Sequence, residues 1–100
     1  MPTMRDVFWD ALFEKAKKDR NIVVLSADFA APSLDKFRLE LPAQFINLGI
    51  AEQNMMLLAA GLAIEGKKPF CYAISTFLTM RCFEQTRLYA AGMNLPIVMV

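Results

Sequence analysis

Histidine is absent from the 100 residues. That removes the commonest general base near neutral pH, the usual activator of a serine or cysteine nucleophile, and the commonest metal ligand. Any chemistry must therefore rest on carboxylates or on a bound cofactor. Cysteine is scarce: Cys71 and Cys82 are the only two, too far apart for a redox or zinc pair. Each lies in an apolar stretch, the setting of a buried structural thiol. No uninterrupted apolar run approaches the ~20 residues that cross a bilayer, and no basic-then-apolar leader opens the chain. The expectation is a cytoplasmic protein with no membrane partner. An excess of charge of one sign is lacking too. The formal net charge is +1, and Lys17-Lys18 and Lys67-Lys68 are short pairs rather than stripes, so nucleic acid is not expected as a partner. Internal repeats and low-complexity linkers are also missing, and the length allows one domain at most, given a usual size of roughly 100–150 residues.

What is abundant is apolar surface. Hydrophobic residues make up 56% of the chain, against about 45–50% in soluble domains. Large apolar patches are rarely left in water, so the surplus is expected to be covered by a partner or by further parts of the same chain.

Thr3 followed by Asp6 forms a capping-box pattern, and Met4, Val7, Phe8, Ala11, Leu12 and Ala16 recur at helical spacing behind it. Lys15, Lys17 and Lys18 suit the negative end of that helix. Ile22-Val23-Val24-Leu25 is an unalternating run of β-formers, as in a strand covered on both faces. Ser26-Ala27-Asp28 follows its carboxyl end. A looser segment from Phe29 to Ala43 holds a possible short helix from Ser33 to Leu39. Phe45 to Leu48 reads as a second strand, and an Ala-, Leu- and Met-rich helix runs from Ala51 to Glu65, closed by Gly66 and Pro69. Phe70 to Ile74 reads as a third strand, Phe77 to Ala91 as a helix, and Ile97 to Val100 as a fourth strand. The alternation predicts an α/β fold, a mostly parallel sheet with helices on both faces. The chain stops inside an apolar strand and the sheet would have bare edges, so the expectation is an incomplete domain.

In open α/β sheets ligands collect beyond the carboxyl ends of the strands, which directs attention to Ser26–Ser33, Gly49–Asn54 and Ser75–Arg81. Glu52 falls in the first turn of a helix that is apolar on nearly every side. Burial penalises its charge while the helix N-terminus favours it, so its protonation is open to tuning; a first-turn glutamate that only stabilises the dipole fits the same pattern. Phe77, Met80 and Phe83 share one helical face, as core packing or as a pocket wall. Asp28 can accept turn hydrogen bonds or face a ligand. Arg81 and Arg87 are helix-surface charges paired with Glu84 and solvent, or forks for an anion.

The run Asn47-Leu48-Gly49-Ile50-Ala51-Glu52-Gln53-Asn54-Met55 resembles the pyrimidine-domain motif shared by transketolases and 1-deoxy-xylulose-5-phosphate synthases. The resemblance extends from Met4-Arg5-Asp6 through Leu25-Ser26-Ala27-Asp28 and Ser75-Thr76-Phe77-Leu78 to Pro96-Ile97-Val98. It implies the fold of a thiamine diphosphate-binding pyrimidine domain, of which residues 1–100 would be the first part. In that family the glutamate matching Glu52 hydrogen-bonds ring nitrogen N1′ of the aminopyrimidine and drives it toward the tautomer that acts as base at the thiazolium. Phe77 matches an aromatic residue packed on the pyrimidine, Met80 and Phe83 match further wall positions where aromatics are frequent, and Asp28 matches an acidic residue near the reaction centre. Ser33 resembles a serine that contacts substrate phosphate, in a loop one residue longer here, and Arg81 follows the pocket motif as a second candidate for the sugar phosphate.

The family holds the diphosphate and its Mg2+ on a separate domain with a Gly-Asp-Gly motif and a later Asn. Neither that domain nor the C-terminal domain has a counterpart in this sequence. The implied partner is thus a diphosphate-binding domain or an N-terminal transketolase subunit, in a homo-oligomer or a heterotetramer, and the chain alone is expected to be inactive. A split transketolase is the leading expectation, for transfer of a two-carbon ketol unit between sugar phosphates. Alternatives are 1-deoxy-xylulose-5-phosphate synthase, the β-subunit of a 2-oxo acid dehydrogenase, and a non-catalytic interaction module.

Overall fold

A computed structural model describes residues 1–100. Helix α1, Met4–Lys18, opens on the expected capping box: the Asp6 N–H donates to Thr3 Oγ1 at 3.2 Å and the Thr3 N–H to Asp6 Oδ2 at 3.4 Å. Its buried seam differs from the expected one. Trp9, Leu12, Phe13 and Ala16 face inward, whereas Met4, Val7 and Phe8 are exposed. Two apolar seams compete on this helix, and the one carrying the indole wins because it buries the most surface. Trp9 meets Tyr72 and Phe37 edge-on, with ring centroids 5.1 and 6.4 Å apart.

Strand β1, Ile22–Ser26, is buried throughout, as its unalternating sequence requires. Helix α2 spans Leu34–Glu40, a 3₁₀ turn follows at Pro42–Gln44, and β2 is Phe45–Asn47. Helix α3 is Glu52–Ile64. It ends where Gly66, at φ +88°, takes the left-handed conformation and the Lys67 N–H reaches back to the Leu62 carbonyl, a glycine stop of the Schellman kind.

Strand β3 is Lys68–Tyr72, two residues earlier than expected. Pro69 does not exclude this. The Lys68 N–H bonds the Asn21 carbonyl on the β1 side, so position 69 faces the other neighbour, whose pairing begins only opposite Phe70. A missing donor there breaks no ladder bond. That neighbour is β4, Val98–Met99.

All four strands are parallel, in the order β2-β1-β3-β4. Helices cover both faces, as expected. On one, α1 and α2 pack on Ile22, Val24 and Tyr72. On the other, Met55, Met56 and Ala59 of α3 pack on Val23, Leu25 and Cys71. No helix is long and apolar enough to cross a membrane.

The single helix expected over 77–91 is broken. Helix α4 is Ser75–Thr79, α5 is Phe83–Gln85, and a π-helical segment, Thr86–Ala91, continues from it. At the break the Met80 and Arg81 N–H groups share the Thr76 carbonyl, and the Arg81 carbonyl is taken by the side chain of Gln53 at 3.1 Å. The Arg81 carbonyl is thus held from outside its own segment at the break.

Candidate active site

The connection after β1 leads to β2 on one side, while β3 and β4 continue on the other. The winding reverses between β1 and β3, and beyond their carboxyl ends such a reversal opens a crevice. A cleft of about 130 Å³ lies there. Ala27, Asp28 and Phe29 line it after β1, Ala73 and Ile74 after β3, Ile50 and Glu52 at the start of α3, and Phe77 in α4. Whole-ligand pockets run to about 300–1,000 Å³, so this cleft takes one portion of a ligand.

Glu52 is the polar group of its floor. The side chain is 4% exposed, and Oε1 accepts a hydrogen bond from Arg81 Nη1 at 3.0 Å. The other oxygen, Oε2, makes no hydrogen bond within the chain. The Arg81 guanidinium lies 3.8 Å from the centroid of the Phe77 ring, in stacking and cation–π contact. Gln53, the next residue of α3, holds the Arg81 backbone. Beneath them the Cys82 thiol donates to the Phe77 carbonyl. Burial pushes this thiol up, the charge of Glu52 adds to the rise, and Arg81 opposes it.

Asp28 stands at the rim with φ 55°, a left-handed conformation that aspartate tolerates better than most residues. Its N–H donates to Asn47 Oδ1 at 3.1 Å, and the same oxygen accepts the Gly49 N–H at 2.9 Å. Asn47 thus ties the loop after β1 to the turn that starts α3, where Gly49 has φ +78°. Neither Asn47 nor Gln53 was singled out from the sequence. A signal for Asn47 existed in its place at a strand end two residues before a glycine, whereas nothing local marks Gln53.

Glu52, Phe77, Asp28 and Arg81 therefore come together. Met80 is 74% and Phe83 62% exposed, and neither lines the cleft, because the break after α4 separates Phe83 from the face that carries Phe77. Ser33 is buried at the start of α2 and its hydroxyl makes no capping bond. It lines neither this cleft nor a second one, of about 120 Å³, on the far side of Asp28. Arg81 bonds Glu52 rather than the neighbouring Glu84.

The family model described as transketolase, pyrimidine binding domain, matches residues 1–100. The chain belongs to the transketolase pyrimidine-binding domain family. A solved structure described as "Split gene transketolase, inactive beta4 tetramer" superposes on this pyrimidine-binding domain with a TM-score of 0.85 at 36% identity, over 95% of this chain and 32% of that one. Among curated relatives, a 6-deoxy-6-sulfo-D-fructose transketolase subunit from a Clostridium species is 42% identical over 98 residues, 97% of this chain and 30% of that protein. A 1-deoxy-D-xylulose-5-phosphate synthase from Chlorobium phaeovibrioides is also 42% identical over 98 residues, 97% of this chain and 15% of that protein. The domain spans less than a third of the length of either curated relative. The parallel sheet and the family expected from the Asn47–Met55 motif are both met.

Proposed function

We propose that the chain supplies the pyrimidine side of a thiamine diphosphate site in a transketolase-type transferase, with Glu52 as the activating carboxylate. The observation that carries this reading is a buried glutamate with one oxygen uncommitted, on the floor of an apolar cleft at the winding reversal. The residues fit the cofactor's aminopyrimidine in kind. A flat heteroaromatic ring needs apolar walls, here Ile50, Ala73, Ile74 and Phe77, and one group able to share a proton with a weakly basic ring nitrogen.

When bound, thiamine diphosphate supplies the nucleophilic carbon and the electron sink for two-carbon transfer. The chain's own residues do the rest of what is proposed here. Glu52 holds or accepts a proton at Oε2, and the aromatic face of Phe77 orients the ring. The apolar walls flank the carboxylate in a cleft still open to water, and Asp28 stands at its rim.

No three His, Cys, Asp or Glu side chains gather in a way that holds a metal ion. In this reading Mg2+ and the diphosphate are held by a partner, a diphosphate-binding domain or N-terminal subunit, and the chain alone is inactive. The similar solved structure is described as a tetramer, which supports assembly into an oligomer. Free, buried Cys71 and Cys82 support a reducing, cytoplasmic setting. The proposed substrates are sugar phosphates. The Clostridium relative is named for a sulfonated sugar, so both anions belong in the assay. The synthase relative of equal identity supports a second reading, pyruvate joined to glyceraldehyde phosphate.

The test is Glu52→Gln in the complete assembly. Ketol transfer should fall by orders of magnitude while the assembly persists. Unchanged transfer sinks the catalytic assignment and leaves an interaction module. Product analysis with a ketose donor or with pyruvate separates the two enzymatic readings.

A further inference from the structure

Glu52 stands between two cavities. One is the cleft; the other, of about 300 Å³, is lined by Ile50, Ala51, Gln53, Asn54 and Arg81 together with Glu52 itself. Arg81 borders only the second, and its Nη1 donates to Glu52 Oε1 at 3.0 Å. Oε2 stays without a bond inside the chain. The same guanidinium lies 3.8 Å from the centre of the Phe77 ring, and Phe77 does line the cleft. One cation outside the cleft thus touches both of the side chains that the cleft presents to a flat ring. Arg81 is itself held: its carbonyl accepts from Gln53 Nε2 at 3.1 Å. Gln53 follows Glu52 in α3, so carboxylate and guanidinium are referred to the same helical turn.

We infer that Arg81 is a positioning residue of this site: it holds Glu52 by Oε1 from outside the cleft, leaves Oε2 for the ligand, and backs the Phe77 ring. The inference rests on the pyrimidine-site reading proposed above and adds a reason why one oxygen is committed and the other is not. A glutamate side chain has several rotamers, and a bond through one oxygen removes much of that freedom before a ligand arrives. Guanidinium suits the task better than an ammonium group because it is planar, so it can donate through its edge while its face stacks on an aromatic ring. The two side chains also differ in exposure, 45% for Arg81 and 4% for Glu52. The cation therefore keeps much of its hydration while it compensates a carboxylate that has lost most of its own.

The probe is 4-amino-5-hydroxymethyl-2-methylpyrimidine, titrated into the full chain and followed by amide chemical shifts, for wild type, Arg81→Ala, Arg81→Lys and Glu52→Gln. Arg81→Ala is expected to bind about tenfold more weakly than wild type, a ratio equal to about 1.4 kcal/mol and close to the worth of one charged hydrogen bond. Arg81→Lys should fall between the two, since it keeps the charge but not the planar stack on Phe77; it also decides the matter if Arg81→Ala does not fold. Glu52→Gln should lose binding. The place vacated by Arg81 is open to solvent. Free guanidinium at about 50 mM, well below the molar range that unfolds proteins, should therefore bring Arg81→Ala back toward wild type, while sodium at equal ionic strength should not. A purely structural loss has no reason to respond to that ion. Equal or tighter binding by the Arg81 variants, or a loss in Arg81→Ala that guanidinium leaves unchanged, overturns the positioning role while leaving the site reading intact. Undiminished binding by Glu52→Gln, or no binding by wild type, overturns both.

Discussion

Replacing Glu52 with Gln and, separately, Arg81 with Met removes one ion pair from opposite ends, and the two losses are expected to differ. The Glu52 side chain is 4% exposed and that of Arg81 45%. Glu52→Gln keeps an oxygen for the bond to Arg81, discards a carboxylate held away from water, and leaves a guanidinium that already reaches solvent. The attraction lost from a part-exposed pair is about 0–1 kcal/mol, and removal of the buried charge offsets it, so stability should stay within about 1 kcal/mol of wild type. Arg81→Met leaves the carboxylate without a counter-ion. A fully enclosed charge that loses its partner costs about 3–5 kcal/mol; the cleft is open to water, which lowers the expectation to about 2 kcal/mol. With a urea slope of about 1.5 kcal/mol/M for a small domain, the midpoint should fall by about 1.3 M. Trp9, the only tryptophan and fully buried, reports unfolding by fluorescence. Equal shifts in the two variants, or a larger one for Glu52→Gln, would refute the reasoning that burial sets the asymmetry.

Phe77→Ala should weaken cofactor retention by the assembly more than it lowers the urea midpoint of the chain, because the ring is only half-buried and faces the cleft; an unchanged affinity with reduced stability would make it a packing residue. Burial pushes the Cys71 thiol up to about 12 and raises that of Cys82, so the native chain should resist iodoacetamide at mildly alkaline pH while the unfolded chain reacts at both sites. Native reaction at the unfolded rate would contradict a closed α3 layer. Asp6, lowered chiefly by its Thr3 hydrogen bond, and Asp19, lowered chiefly by its Lys68 hydrogen bond, have folded pKa values below the ordinary 3.8. Their contribution is present above that value and is lost as pH falls through the lowered ones; Lys68→Met should flatten that acid limb in pH-dependent unfolding. Gln44→Ala should cost about 2–3 kcal/mol, since its amide donates to the Ala16, Asp19 and Ile22 carbonyls at 3.0, 3.1 and 3.0 Å and nothing replaces it. A midpoint shift equivalent to less than 0.5 kcal/mol, taking about 1 kcal/mol as the net worth of a bond, would show that water takes its place.

The parts of this fold that sequence reasoning reached are those decided locally. β1 and β2 are short runs of β-formers, α3 is a long helix-forming run, and the Thr3-Asp6 box and Gly66 act within a turn of themselves. The parts that escaped it depend on distant partners. The seam of α1 turns through Trp9 because Tyr72 and Phe37 receive the indole, and the helix over 77–91 breaks at Arg81, whose carbonyl is held by Gln53, 28 positions away. The site divides in the same way. Glu52, Asp28 and Phe77 line the cleft, a placement legible in the sequence because strand ends and helix starts mark the crevice. Arg81 was read as a surface charge or an anion fork, since its partner lies 29 positions back in the chain. Met80 and Phe83 followed Phe77 on a regular helix that the structure does not keep.

Gln44 has a consequence for how the domain comes apart. Its two amide protons are shared among the last turn of α1, the bend at Asp19 and the first residue of β1, while its backbone belongs to the turn that launches β2. Three boundaries that would otherwise fray separately are latched by one side chain, so they should open together as one cooperative unit. Amide hydrogens at the end of α1, at the start of β1 and in β2 are then expected to exchange with a common opening free energy. The cleft stands at the other end of the same strands, where Asn47 joins only the loop after β1 to the turn before α3, so that end should open separately from the one Gln44 holds.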